Sequence, residues 1–220
     1  LRRSRGLGDV YKRQANIPPM GIYKFIIFSL VFVINIDARP ISYSGGSTIM
    51  YKSDNMSNSV YAHYSPTYKY SIGIENVDNK FFNKSYNYLR LTYLLNRKNT
   101  DISQRNLYFQ SGISVNNTNN LFYGMHGDWE TRRWFTGFGY KYVENSFGKD
   151  YENKFIQLGV APYLGDYGDL HTWVMLKSKT NSLTNNRSTY PELKFFKGNA
   201  LIEFGYSDKT EWDLHFMYRF

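Results

Sequence analysis

The residues of this sequence best suited to acid/base or metal chemistry are its four histidines, His63, His126, His171 and His215. In His126-Gly-Asp128-Trp-Glu130 an imidazole and two carboxylates recur at every second position. On an extended strand residues two apart point the same way, so these three could form an acid/base or metal cluster. The competing reading is a polar network of paired charges. A hydrolase would also need an activated nucleophile, and no Gly-x-Ser-x-Gly elbow occurs. The expectation is that the chain is not an enzyme, with His126, Asp128 and Glu130 as the catalytic candidates of the alternative. His171, Trp173, Met175 and Lys177 share another strand face, as do His215 and Met217. Imidazole and thioether suit soft cations such as copper, but the spacing is that of any strand, so no metal and no cofactor is assigned.

The elements that must position these groups are strands. From about Gly46 onward the chain alternates with period 2 and shows almost no helical period. Ile72 and Ile74 alternate with Ser71, Gly73 and Glu75, with Tyr68, Lys69 and Tyr70 read as the start of the same run. Leu89, Leu91 and Tyr93 alternate with Arg90 and Thr92; Phe138 and Tyr140 with Gly137, Gly139 and Lys141. Ile156, Leu158 and Val160 oppose Gln157 and Gly159. Twelve strands result, at about 46–53, 58–64, 67–77, 86–96, 103–115, 120–131, 133–143, 152–163, 168–178, 189–197, 199–207 and 211–220. Pro191 weakens one of them, so ten strands are expected if a terminal hairpin stays outside, and eight is a further alternative. Short links at Ser65-Pro66, Arg132-Arg133, Gly165-Asp-Tyr and Gly198-Asn199 alternate with longer ones at 78–85, 144–151 and 179–188. The link at 96–102 and the hairpin near Asp208 break that alternation.

Composition sets the bounds. Aromatic residues at 19%, with 21 tyrosines, are too plentiful for a disordered chain, and 220 residues suit one domain. The absence of cysteine excludes a disulfide framework, a thiolate metal site, a cysteine nucleophile and a lipid-carrying cysteine. The net charge of +9 is inflated by the first 38 residues, and the remaining basic groups are scattered, so no nucleic-acid surface is expected.

Two leading segments stand outside the fold. Residues 1–19, with Gly6-Leu-Gly-Asp-Val-Tyr-Lys-Arg-Gln14, resemble a non-native leader of translated adapter sequence. Met20, Lys24, the apolar run Phe25 to Ile36 and the small Ala38 follow the order of a signal peptide over 20–38. That run is too short for the roughly 20 residues of a spanning helix. An uncleaved anchor is the competing reading.

Alternation alone does not say which face turns inward, because a secreted lipocalin-like barrel that binds an apolar ligand alternates too. Glycines and charges recur on the polar face, and aromatic residues gather near segment ends, as in a membrane barrel with a hydrated lumen. The expected lumen residues are Lys69, Glu75, Arg90, Lys141, Glu203, Asp213, His215 and Arg219. Their mixed signs predict no clear ion selectivity. The carboxyl terminus, with Leu214, Phe216, Tyr218 and Phe220 at alternate positions and ending on an aromatic residue, resembles the terminal strand of bacterial outer-membrane β-barrel proteins. The resemblance covers residues 39–220 as a pattern and identifies no narrower family within the porin-like, small-barrel class. It implies an all-β, closed, antiparallel up-and-down transmembrane barrel in the outer membrane of a Gram-negative bacterium. Its implied partners are outer-membrane lipid, the barrel-assembly machinery and periplasmic chaperones, with the oligomeric state open. The expected role is a small channel or a structural surface protein.

Overall fold

The computed structural model describes residues 40–220 apart from Tyr167 and Thr210. The leader read at 1–19 and the signal peptide read at 20–38 lie outside the described residues. The described chain forms twelve strands: β1 (Gly46–Ser53), β2 (Ser57–Thr67), β3 (Tyr70–Asn79), β4 (Lys84–Asn99), β5 (Ser103–Ser114), β6 (Leu121–Thr131), β7 (Trp134–Glu144), β8 (Tyr151–Val160), β9 (His171–Asn181), β10 (Asn186–Lys197), β11 (Ala200–Ser207) and β12 (Glu211–Arg219). Each pairs antiparallel with its sequence neighbours, and β1 pairs with β12 from Thr48–Arg219 to Ser53–Leu214, which closes the sheet into a barrel. The twelve-strand expectation is met, and the ten-strand alternative fails because the terminal hairpin completes the ring. Backbone bonds from Ser47 N to Phe220 O and from Phe220 N to Ser47 O carry the seam past the last strand residue. No helix among the described residues is long and apolar enough to cross a membrane.

Pro191 lies inside β10, where the sequence pattern favoured a strand end or bulge. Pairing with β11 begins at Glu192–Gly205, one residue past the proline, so that side of Pro191 is already outside the ladder. Two links differ from expectation for local reasons: the short link expected at Ser65-Pro66 lies at 68–69, with Ser65 and Pro66 inside β2, and the link expected at 96–102 shortens to 100–102. The β2–β3 register shifts between Tyr64 and Thr67, and a tight turn at 68–69 follows. The β4–β5 register shifts between Leu94 and Asn96, which lets the hairpin run on to Asn99. The link after β8 differs from expectation: the sequence predicts a short turn at Gly165-Asp-Tyr, but the connection spans 161–170. Asp166 and Asp169 bond to one another there, and Gly168 takes φ +89°, a conformation open to glycine. The dense Asp-Gly spacing is thus turn chemistry, as its composition suggested.

With the ring closed, alternation sorts every strand residue to one of two faces. Ile74 (61% exposed), Leu89, Ile156, Leu158 and Phe216 (40%) face outward. Arg90 (6%), Glu75, Glu203 (9%), Asp213 and Arg219 are buried inside. Outward aromatic rings collect at both rims, with Tyr64, Tyr68, Trp134 and Phe220 toward the end where β1 begins and β12 finishes (the terminus end of the barrel) and Tyr51, Tyr123, Tyr206 and Trp212 toward the other. Apolar packing is also present inside, as in the group Val77, Tyr86, Tyr88, Phe122 and Val143.

Glycine makes room for these inner rings. A Cβ on Gly139 would stand 2.2 Å from the Phe155 ring and one on Gly112 2.3 Å from the Phe122 ring, each ring belonging to the directly paired residue of the next strand. Large neighbours can therefore lie flat over the sheet where a side chain would otherwise stand. Replacing Gly139 by leucine is expected to destabilise the barrel by about 1–3 kcal/mol through overpacking. The check is the urea midpoint of the refolded protein, and an unchanged midpoint would contradict this account of the packing.

Candidate functional site

The lumen is built by residues of one parity from all twelve strands, and their charges meet across strand boundaries. Glu75 on β3 and Arg90 on β4 form the most enclosed pair, with Arg90 Nη1 donating to Glu75 Oε2 at 2.8 Å. Arg90 Nη2 donates to Gln110 Oε1 at 2.9 Å, and the guanidinium lies 4.3 Å from the Tyr61 ring centroid. Three contacts thus fix one planar cation, as its fork geometry allows.

A larger network spans β9 to β12. Lys177 Nζ reaches Glu192 Oε2 at 2.8 Å and Asp213 Oδ2 at 3.0 Å. The Tyr190 hydroxyl also donates to Asp213, and Lys179 bonds Asp54 in the link after β1. Below these, Glu203 receives Lys194 Nζ at 3.3 Å and has His215 Nδ1 at 2.7 Å, while the Lys194 ammonium rests 3.9 Å from the Phe135 ring centroid. Toward the terminus end, Arg97 Nε donates to Asn106 Oδ1 at 2.8 Å and Asn106 Nδ2 to Asp128 Oδ1 at 2.7 Å. The lumen therefore carries cross-strand polar ladders with both signs of charge.

Within these networks lies a cavity of about 290 Å³. Its lining runs from Glu130, near the terminus end, to Asp54 and Asn79 at the other, and includes Lys52, Arg90, His126 and Lys141. The mouth at the terminus end is narrowed by the chain itself. Residues 40–44 precede β1 and turn into the barrel, where Ile41 (3% exposed) packs against Leu94 and Tyr108. Ser42 N donates to Ser65 Oγ at 3.0 Å, and Ser44 Oγ donates to the Pro66 carbonyl, pinning the segment to β2.

The expected lumen residues fall as follows. Glu75, Arg90, Lys141, Glu203, Asp213, His215 and Arg219 point inward. Lys69 does not: it lies exposed in the turn at 68–69, because the register shift after Tyr64 ends the alternation that had assigned it a face. Leu214, Phe216, Tyr218 and Phe220 all face outward along the closing strand. His126, Asp128 and Glu130 line the lumen cavity together. The His126 ring stacks on Tyr108 at 6.0 Å between centroids, and its Nδ1 has no hydrogen-bond partner, so no carboxylate orients the imidazole through that nitrogen. His171 stacks on Trp173, and Met175 packs among Phe135, Ala161 and Trp173. No group of three or more His, Cys, Asp or Glu suited to a metal ion occurs among the described residues.

Several principal lumen charges escaped sequence reasoning. The sequence pattern puts Lys179 in a link, with the strand ending at 178, whereas β9 continues to Asn181. Glu192 and Lys194 share the parity of Tyr190, a signal that was legible but obscured by the adjacent proline. Lys52 and Asp54 sit at the end of a short strand and just past it, where alternation gives too few repeats to assign a face.

A scan against protein-family models matches no family, and a search of curated proteins finds no match.

The Glu75–Arg90 pair gives a direct test of how the lumen is held. Glu75→Gln leaves a buried guanidinium without its counter-charge and is expected to destabilise the refolded barrel by roughly 3 kcal/mol. Combining it with Arg90→Met should recover most of that loss. Equilibrium unfolding reads both, and a double variant no more stable than Glu75→Gln would show that the pair is not coupled.

Proposed function

We propose that the chain is an integral outer-membrane β-barrel of a Gram-negative bacterium, exported through a signal peptide at 20–38, in which the polar lumen serves as a narrow conduit for small solutes. The observation that carries this reading is the inverted sorting of side chains. Isoleucine, leucine and phenylalanine occupy the outside between two rims of aromatic rings, while arginine, lysine and carboxylates fill the inside. In water such a surface would expose a continuous apolar band around the whole barrel, far beyond the patches that soluble monomers tolerate. In a bilayer it matches the lipid, and closure leaves no strand edge to satisfy. The interior, crossed by ion pairs, offers no apolar chamber of the kind a secreted lipocalin-like binder needs.

Strand number supports a conduit of restricted width. About eight strands leave room only for side chains and sixteen or more enclose an aqueous channel, so twelve fall between. The segment at 40–44 narrows the terminus-side mouth further, and the lumen admits molecules no larger than a small metabolite. The carboxyl-terminal run Leu214, Phe216, Tyr218 and Phe220 supports recognition by the barrel-assembly machinery, with periplasmic chaperones escorting the chain beforehand. No enzymatic step is part of this reading.

Residues 39–220, refolded in detergent and reconstituted into vesicles, are expected to resist carbonate extraction and to migrate differently on gels before and after heating. Ile74→Arg, placing a charge on the outward face midway along β3, should cost about 2–4 kcal/mol of folding free energy in the bilayer. A mature chain that stays monodisperse without detergent would overturn the membrane reading. In planar bilayers the refolded protein should pass a small ionic current, and deleting 40–42 should enlarge it. Absence of current from both forms would leave a structural surface role in place of the conduit.

A further inference from the structure

On the outer wall, near the terminus end, two cations face each other without a counter-charge. Lys98, next to last in β4, is the direct cross-strand partner of Arg105, the third residue of β5. Both are exposed, and neither enters an ion pair among the described residues. Direct pairing brings two Cβ atoms to about 5 Å, so both head groups can reach one small anion. The nearby carboxylates are turned elsewhere. Asp128 and Glu130 alternate with the outward Trp129 and line the lumen, where Asp128 accepts from Asn106, and Asp101, in the link beyond, pairs with neither cation. From Arg105 toward the middle of the wall runs a groove of about 330 Å³, bordered on the outer face by Asn96, Leu107, Trp129, Thr136 and Phe138. Gly127 leaves the wall low at this point: it is paired directly with Leu107 on one side and Phe138 on the other, and a Cβ there would stand 2.5 Å from the Phe138 ring.

Two like charges directly opposed on a sheet face repel, and an anion held between them turns that repulsion into attraction. An ammonium and a guanidinium together suit a phosphate, the second through its bidentate fork. The groove beside them is walled by apolar and aromatic side chains and descends from the rim toward the apolar band, the direction in which a lipid's chains run from its headgroup. We infer that Lys98, Arg105 and this groove bind one anionic glycerophospholipid of the terminus-side leaflet, with its phosphate between the two cations and part of an acyl chain along Leu107, Trp129 and Phe138. The inference rests on the membrane reading and adds a specific lipid partner to it. Lys69 and Arg133 are exposed on the same rim, yet neither is the cross-strand partner of another cation or borders the groove, so they separate a built site from general attraction to a charged surface.

Native mass spectrometry of the 39–220 chain, refolded into vesicles of phosphatidylcholine mixed with phosphatidylglycerol and released in mild detergent, tests the site. One phosphatidylglycerol retained in preference to phosphatidylcholine is expected. The Lys98→Gln, Arg105→Gln double variant should lower that retention about tenfold, the scale of losing a charge-assisted bond. Thr136→Phe, which fills the groove with a side chain suited to the lipid face, should lower it as well. Lys69→Gln, Arg133→Gln takes the same charge from the same rim and should retain the lipid as the parent does. Heat-shifted migration on gels reads whether each variant is folded. Equal retention of the two lipids by the parent would overturn the site, as would equal losses in the two glutamine variants or retention untouched by Thr136→Phe. A chain that fails to insert into the vesicles would instead remove the membrane reading.

Discussion

Closure of β1 onto β12 is the constraint on which the rest of this barrel depends. An antiparallel sheet leaves unpaired N–H and C=O groups along any free edge, and only a ring disposes of both edges at once. Six directly paired positions and the two bonds between Ser47 and Phe220 make the seam. Once it is made, no strand residue can choose its surroundings: parity alone sends it in or out. Every other feature, from the outward rows of aliphatic side chains to the interior ion pairs, follows from which residue types occupy which parity.

The inward parity poses the harder physical problem. Twelve strands enclose more volume than side chains of ordinary size fill neatly, yet less than bulk water would need. The chain fills it with large groups: rings laid over glycines, as with Phe122 over Gly112 and Phe155 over Gly139, and charged side chains that reach across strand boundaries. Lysine and arginine suit this, since one head group can lie over a ring and still reach a carboxylate, as the Lys194 ammonium does with Phe135 and Glu203. The interior therefore resembles neither a hydrophobic core nor an open pore.

How much of this was legible in the sequence follows from the range of each interaction. Strand number and the outward face were readable because alternation is local and repeats: Ile72 and Ile74, or Leu214 and Phe216, declare their face within a few residues. Lys69 was misplaced where that rule lapses, at a register shift leading into a tight turn. The link at 161–170 was misjudged because Gly-Asp spacing reports a turn but not how much chain flanks it. The pairing of charges was not legible at all. Lys177 and Asp213 stand 36 positions apart in the sequence and Asp54 and Lys179 lie 125 apart, and only strand order and tilt bring them together. The His126, Asp128 and Glu130 triplet shows the converse: spacing two apart is enough to give a shared cavity.

Pairing also decides what a sum of charges means. A lumen with mixed signs could present a field of alternating sign to a passing solute, or it could present almost none, according to whether the opposite charges are neighbours. Here neighbouring strands supply the partners, so most charges are spent on each other at contact distance and act outward as short dipoles, whose field falls off faster than that of a lone ion. Held in cross-strand networks, they stiffen the wall more than they attract from afar.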